Sequence, residues 1–126
     1  MNIEELIEFD NWIVAGDVTD EMKYAGRIYN KLKARGYNVV GLHPLDKSPG
    51  VYHKFEELND KKIKFDVLNL VVNPKRGLEL VMEAKKYGIT KVLAQPGARS
   101  DEIKDFCEKN QMEYFEGCTL VELNND

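Results

Sequence analysis

The sequence predicts an α/β protein with three layers, in which helices cover both faces of a doubly wound parallel sheet of about five strands, as in Rossmann-like domains. Two observations predict this fold class. Short apolar runs of strand length alternate along the chain with amphipathic stretches of helix length. Within each run consecutive residues are apolar, which is typical of strands that are buried on both faces. Strict alternation implies parallel strands joined by right-handed crossovers.

Five runs are predicted as strands, at residues 11–16, 37–42, 65–72, 91–95 and 112–116. Helices are predicted at 20–35, 74–87 and 100–110, with a short leading helix in residues 1–10. Pro74 suits a first helical turn, and Ser100 before two acidic residues is a typical N-cap. The segment 50–59 is ambiguous, and its interpretation here is a short edge strand followed by one helical turn.

Composition limits the function classes. The 126 residues carry a net charge of −4 and are 43% hydrophobic and 32% charged. This length predicts a single domain spanning 1–126, and the acidic balance argues against nucleic acid as a partner. No apolar run approaches the about 20 residues of a membrane span, and the acidic N-terminus lacks a signal-peptide core. We therefore expect a cytoplasmic protein whose partner is a small molecule.

Open parallel sheets bind ligands at the carboxyl ends of their strands, and four of the predicted strand ends share one pattern. Each has a glycine or proline turn with a cation nearby. The pairs are Gly16 with Lys23, Pro44 with Lys47, Pro74 with Lys75 and Arg76, and Gly97 with Arg99. On an acidic protein, this clustering indicates a nucleotide-like ligand that carries phosphate.

The sequence predicts no catalytic residue and no metal site. Two cysteines lie in separate segments, so they form neither a disulfide framework nor a metal-binding pair. Cys107 is predicted as a packing residue within a helix. Cys118 follows the last strand, where its thiol either packs or faces the ligand site.

Four motifs together resemble a known family. They are Val14-Ala15-Gly16 followed by Lys23-Tyr24, His43-Pro44, Gln95-Pro96-Gly97-Ala98, and Cys118 with Glu122. In this order the chain resembles the small stand-alone CoA-binding proteins, which are similar to the CoA-binding domain of succinyl-CoA synthetase α subunits. The resemblance extends from Trp12 to Leu123. His43 stands where the family usually has asparagine, and Lys47 lies three residues after Pro44 instead of directly after it.

The resemblance implies coenzyme A or an acyl-CoA as ligand, and it implies a role for each matching position. A phosphate loop would consist of Gly16, Asp17, Val18 and Thr19, with Lys23 and Tyr24 beside it. His43, Pro44 and Lys47 would flank the adenosine or its 3′-phosphate. The adenine or pantetheine path would include Val72, Asn73 and Pro74, and the inner floor Gln95 and Gly97.

The same resemblance implies binding without catalysis, because the synthetases act through further domains for which this chain has no room. A second copy of the chain or a separately encoded synthetase subunit would be its protein partner. Two alternatives remain at this stage. One is an NAD(P)-binding oxidoreductase or sensor, although the chain lacks G-x-G-x-x-G and has Leu42-His43 where a ribose-binding carboxylate is expected. The other is a protein-interaction domain without a ligand.

Overall fold

The computed structural model describes residues 2–61 and 63–124. These residues form one sheet with helices on both faces. Its strands are β1 Asn11–Ala15, β2 Asn38–Leu42, β3 Val51–Tyr52, β4 Val67–Leu70, β5 Lys91–Ala94 and β6 Glu113–Glu116. Its helices are α1 Ile3–Leu6, α2 Tyr24–Ala34, α3 Pro74–Lys86, α4 Asp101–Lys109 and α5 Thr119–Asn124, and a 3-10 helix spans Phe55–Lys61.

All neighbouring strands are parallel, in the order β3-β2-β1-β4-β5-β6. The central strand β1 pairs with β2 through Trp12 and Val39 and with β4 through Trp12 and Val67. The chain thus builds outward from β1 to β3 and then returns to continue on the other side. This reversal between β1 and β4 confirms the doubly wound α/β fold that the sequence predicts.

The sheet has six strands instead of the predicted five or so. The additional strand is β3, which has two residues and lies at the edge next to β2. It lies in the ambiguous segment 50–59, and the 3-10 helix begins after two intervening residues, in the order that the sequence suggests. A strand this short has no periodic pattern of its own, because its pairing partner decides its conformation.

Both faces of the sheet are covered, which explains the continuous apolar runs. Along β1, Trp12 and Val14 point to the face covered by α1, α2 and α5, and Ile13 and Ala15 to the face covered by α3 and α4. The side chains of all four residues are fully buried. The indole nitrogen of Trp12 donates to the Phe9 carbonyl at 2.7 Å, so its burial leaves no polar atom without a partner.

Side chains cap α3 and α4, and the cap of α4 at Ser100 is the one that the sequence predicts. The Ser100 hydroxyl accepts from the amides of Glu102 and Ile103, as expected of an N-cap. The Asn73 side chain accepts from the Arg76 amide at 2.9 Å and places Pro74 in the first turn of α3. Among the described residues, no helix is both long enough and apolar enough to cross a membrane.

The predicted start of the second helix at residue 20 is wrong, because α2 begins at Tyr24. The preceding residues form successive turns instead. The Asp20 amide donates to the Asp17 carbonyl, and the Lys23 amide donates to the Asp20 carbonyl. The Asp20 carboxylate also accepts from the Met22 amide at 3.0 Å, a local bond that competes with helix formation.

The sequence analysis did not predict α5, which follows Cys118 directly. Three fully buried polar side chains hold its first turn against the sheet, namely Asn69 at β4, Gln95 after β5 and Thr119. The Gln95 amide nitrogen donates to Asn69 Oδ1 at 2.6 Å and to Thr119 Oγ1 at 2.8 Å. Its amide oxygen accepts from the Thr119 backbone N–H at 3.1 Å, so one amide joins β4, β5 and α5.

Substitution of Gly26 tests how tightly the turns before α2 pack on that helix. A Cβ at Gly26 would lie 2.1 Å from the Asp20 carbonyl oxygen, which is backbone and cannot rotate away. Alanine is the better helix former by about 1 kcal/mol. We nevertheless expect Gly26→Ala to lower the free energy of unfolding by about 1–3 kcal/mol, as overpacking does.

Urea unfolding followed by circular dichroism measures this change. Gly77→Ala in α3 is the matched control, because the nearest atom to its Cβ would be the end of the Ile103 side chain, at 3.2 Å, and no backbone atom is among its three nearest neighbours. The control should stay within about 1 kcal/mol of the parent protein. Equal effects of the two substitutions would contradict the account of Gly26.

The buried amide of Gln95 gives a second prediction. Gln95→Met keeps the length of the side chain but leaves Asn69 Oδ1 without that donor and the Thr119 amide without that acceptor. Since each buried polar group left unpaired costs about 1–3 kcal/mol, we expect a loss of about 2–4 kcal/mol in urea unfolding. The exposed Gln111, changed to Met, should alter stability by less than about 0.5 kcal/mol. A Gln95→Met protein as stable as the parent would contradict a structural role for this network.

Candidate functional site

A cleft of about 500 Å³ opens at the carboxyl ends of the strands, where β1 and β4 lie side by side. Its walls come from the turns after β1, β2, β4 and β5 and from the start of α3. The lining residues are Gly16, Asp17, Tyr24, Leu42, His43, Pro44, Val71, Val72, Asn73, Arg76, Leu80, Pro96, Gly97 and Ala98. The cleft therefore lies at the reversal in strand order, where open α/β sheets bind ligands.

Gly16 forms the floor of the cleft, at a position where only glycine fits. Its φ of +153° is unfavourable for other residues, and a Cβ would lie 2.8 Å from the Val71 carbonyl oxygen and 2.9 Å from Ala25 Cβ. The Gly16 amide donates to the Leu42 carbonyl at 3.1 Å. The backbone at the end of β1 thus lies close to β2, β4 and α2 together, and the surface above it stays open.

Asp17 lines the cleft with both carboxylate oxygens engaged. Oδ2 lies 2.8 Å from Lys23 Nζ, and Oδ1 lies 3.0 Å from His43 Nε2. The hydrogen bond from Lys23 keeps the pKa of the Asp17 carboxyl below its usual range, and Asp17 in turn raises the pKa of Lys23. Asp17 therefore remains a carboxylate at neutral pH, and it ties the turn after β1 to the turn after β2.

A second contact joins the same two turns outside the cleft. The Thr19 hydroxyl donates to Asp46 Oδ2 at 2.7 Å, and the Ser48 amide donates to Asp46 Oδ1 at 2.9 Å. Hydrogen bonds from Ser48 and Thr19 lower the pKa of Asp46 to about 2. Lys47, next to Asp46, is exposed.

On the opposite side, α3 contributes the cation of the cleft. Arg76 lines the cleft, and its Nη1 lies 3.2 Å from Glu79 Oε2 one turn further along the helix. A smaller depression of about 210 Å³ shares Leu42, Pro44, Arg76 and Leu80 with the cleft. It adds His53, Lys54, Phe55, Glu79 and Glu83. The two together form an extended trough that passes Arg76.

The structure brings together eight of the fourteen predicted ligand-binding residues: Gly16, Asp17, Tyr24, His43, Pro44, Val72, Asn73 and Gly97. The other six do not line the cleft. Val18 is buried against Gly41, Thr19 bonds Asp46, and Lys23 pairs with Asp17 beside the cleft. Lys47 is exposed on the turn after β2, Pro74 begins α3, and Gln95 is buried beneath the floor.

Five apolar residues line the cleft that were not predicted as ligand-binding: Leu42, Val71, Leu80, Pro96 and Ala98. Leu80 lies more than one turn into α3, where no strand-end pattern applies. Of the two cations named after β4, Arg76 lines the cleft and Lys75 does not. Arg99 does not line it either, and its Nε donates to the Ala94 carbonyl at 3.3 Å. The helical spacing i, i+3, i+7 from Asn73 to Arg76 and Leu80 was the signal that could have found this wall.

The two cysteines differ in their surroundings. Cys107 is fully buried in α4, as predicted, and burial raises the pKa of its thiol to about 11. Cys118 is half-buried and shares a hydrogen bond with the Tyr24 hydroxyl. Burial, with this bond, raises the pKa of Tyr24 to about 12, so the ring on the cleft wall is neutral. Within residues 2–61 and 63–124, no cluster of three or more His, Cys, Asp or Glu side chains could hold a metal ion.

Several solved structures are similar to this protein over nearly the whole length of both chains. A conserved hypothetical protein from Pyrococcus furiosus is 35% identical, with a TM-score of 0.81, over 90% of this chain and 99% of that chain. A hypothetical protein from Pyrococcus horikoshii OT3 is 20% identical, with a TM-score of 0.84, over 99% of this chain and 95% of that one. A Thermus thermophilus protein is 19% identical, with a TM-score of 0.78, over 99% and 98% of the two chains. The last two show the fold alone.

A search of curated proteins finds no significant match. The family model of the CoA binding domain, in contrast, matches residues 10–124, which include every strand of the sheet and every residue that lines the cleft. The chain belongs to the CoA binding domain family.

Proposed function

We propose that this chain is a single domain that binds CoA or an acyl-CoA in the cleft and catalyses no reaction by itself. The observation that carries the proposal is the position of the cleft. This chain belongs to the CoA binding domain family, and its open trough lies at the reversal in strand order. Beneath the trough is Gly16, a position with no room for a Cβ. Phosphate-bearing cofactors bind parallel sheets at this position.

The turn after β1 suits the diphosphate. The backbone at Gly16 can approach a ligand closely, because it carries no side chain. Helix α2 begins nearby at Tyr24, and the Lys23 side chain does not cap its first amides. Backbone N–H groups at a helix start attract phosphate oxygens. We assign the diphosphate to this turn, with Gly16, Asp17, Val18 and Thr19 contributing backbone and Tyr24 closing one side.

The trough past α3 suits the adenosine. Leu42, Pro44 and Leu80 offer an apolar surface to a flat base, and Arg76 lies among them. Guanidinium groups bind phosphate through two parallel hydrogen bonds, which favours Arg76 for the 3′-phosphate. His43 and Lys47 would flank the same end of the ligand, while Val72, Asn73 and Gly97 would line the pantetheine path.

The engagement of the candidate catalytic groups supports binding without catalysis. His43 has a partner at each ring nitrogen, since Nδ1 accepts from the Leu45 amide at 3.1 Å and Nε2 faces Asp17. A general base needs a nitrogen lone pair directed at the substrate, and His43 offers none in this arrangement. The Cys118 thiol shares a hydrogen bond with the Tyr24 hydroxyl, which is neutral. A neutral hydroxyl does not act as a base that would activate the thiol as a nucleophile.

Thermal unfolding in the presence of CoA, acetyl-CoA, ADP or NADH tests the proposal. The protein is first unfolded and refolded to remove any bound nucleotide. We expect CoA to stabilise the protein, because a ligand at 100 times its Kd adds about 2.7 kcal/mol to the free energy of unfolding. ADP should stabilise it less, since it lacks the 3′-phosphate and the pantetheine. No shift with CoA or acetyl-CoA would refute the proposal, and a shift with NADH alone would favour the NAD(P)-binding alternative.

Arg76 provides a test of the binding site. We expect Arg76→Gln to weaken CoA binding about tenfold in isothermal titration, because a charge-assisted hydrogen bond to phosphate is worth about 1.5–3 kcal/mol. Stability should change little, because the Arg76–Glu79 pair is largely exposed.

Lys75→Gln is the matched control, since it removes the same charge from the neighbouring position, which is exposed and does not line the cleft. If both variants weaken CoA to the same extent, Arg76 acts only through the general field of the protein. If neither does, the ligand lies elsewhere.

A further inference from the structure

The cleft already holds one anion, which is the Asp17 carboxylate. Its two oxygens contact Lys23 Nζ at 2.8 Å and His43 Nε2 at 3.0 Å. Lys23 belongs to the segment between β1 and α2, to which the proposed function assigns the diphosphate, and His43 reaches the same carboxylate from the turn after β2. The Asp17 side chain is 45% exposed, so it lies at the cleft surface rather than beneath it.

The hydrogen bonds of His43 fix the direction of its bond to Asp17. Nδ1 accepts from the Leu45 backbone N–H at 3.1 Å and therefore carries no proton. The ring proton is on Nε2, from which it is donated to Asp17 Oδ1. The imidazole is neutral in this arrangement, so Lys23 alone balances the charge of Asp17 at this turn.

The other charges around the cleft do not change this balance. Arg76 on α3 pairs with Glu79, and Asp46 lies on the same turn as His43. A phosphate that entered near Gly16 would meet the Asp17 carboxylate, while Lys23 and His43 would be turned toward Asp17. Like charges a few ångströms apart repel strongly where solvent is partly excluded.

We propose that Asp17 acts as an internal anion that competes with the phosphate of a ligand for Lys23 and His43, and so determines how well the cleft distinguishes phosphorylated from unphosphorylated adenosine ligands. The proposal rests on the proposed function, because it assumes that the cleft takes such ligands. Asp17 is then a specificity-determining residue that weakens anion binding. The cleft takes a diphosphate only when the gain elsewhere along the ligand exceeds the cost of displacing this carboxylate.

Asp17→Asn tests this directly, because the amide keeps the size of the side chain and an oxygen that can accept from His43. Isothermal titration should show ADP binding about tenfold tighter to Asp17→Asn than to the parent protein, since one charge-assisted contact is released to the ligand. Adenosine, which carries no phosphate, should bind both proteins within about twofold of each other.

Asp20→Asn is the matched control. It removes the same charge from the same turn, but the Asp20 carboxylate accepts from the Met22 amide and does not line the cleft. The control should change ADP binding by less than about threefold, the size expected of an exposed charge that acts on Lys23 only through solvent. An equal gain in both variants, or an equal gain for adenosine and ADP, would overturn the proposal.

A probe that does not depend on CoA separates the two proposals. Inorganic pyrophosphate is titrated into the nitrogen-15-labelled parent and Asp17→Asn proteins, and the His43 ring resonances, assigned by their loss in His43→Asn, are followed by NMR. We expect a saturable shift in Asp17→Asn at about tenfold lower pyrophosphate than in the parent. Matching titrations, or no shift in either protein, would overturn the role of Asp17. If CoA fails to bind any of these proteins, the proposed function is wrong, and the pyrophosphate comparison still decides the role of Asp17.

Discussion

The close approach of the backbone at Gly16 to Val71 and Ala25 is the contact on which the cleft depends. Strands β1 and β4 are neighbours in the sheet, but the helices that follow them pack on opposite faces. The segments that follow the two strands therefore separate just beyond the last paired residues, Ala15 and Leu70. A Cβ at Gly16 would clash with the Val71 carbonyl oxygen and with Ala25 Cβ, so the segments could not come this close. The absence of a side chain at Gly16 thus allows both the close packing of these segments and the open cleft above them, which is why only glycine is tolerated at this position.

Beneath the cleft lies a network of buried polar side chains, at positions where the core of a parallel sheet usually has apolar ones. Gln95 lies at the end of β5, and the family resemblance implied that it would form the inner floor near the ligand. In the structure its amide joins Asn69 and Thr119, and all three side chains are fully buried. Buried amides must satisfy both their donor and acceptor groups, so such a network has one geometry. It holds the start of α5, and with it Cys118, against the wall that contains Tyr24.

The charges at the strand ends differ in what they face. Lys23 pairs with Asp17, Arg76 pairs with Glu79, and Arg99 donates to a backbone carbonyl. The sequence places a cation after each of four strands, but it does not say which carboxylate each cation meets, because the partners of Lys23 and Arg76 depend on turns and helix spacing. The proposed phosphate contacts therefore depend on the few carboxylates that pair with these cations at the edge of the cleft.

The sequence by itself determined the fold class, four of the five long strands to within one residue at each end, the cap at Ser100 and the burial of Cys107, because apolar periodicity and local capping depend on neighbours in the chain. The strand predicted at 65–72 is two residues too long at each end, since Phe65 and Asp66 precede β4 while Val71 and Val72 turn into the cleft wall. Only the tertiary structure decided that β3 forms a sixth strand, that α2 begins at Tyr24, that α5 exists, and which residues line the cleft. The physical reason is the same in each case: Leu80, Gln95 and Asp17 obtain their roles from partners distant in sequence, and no local pattern records those contacts.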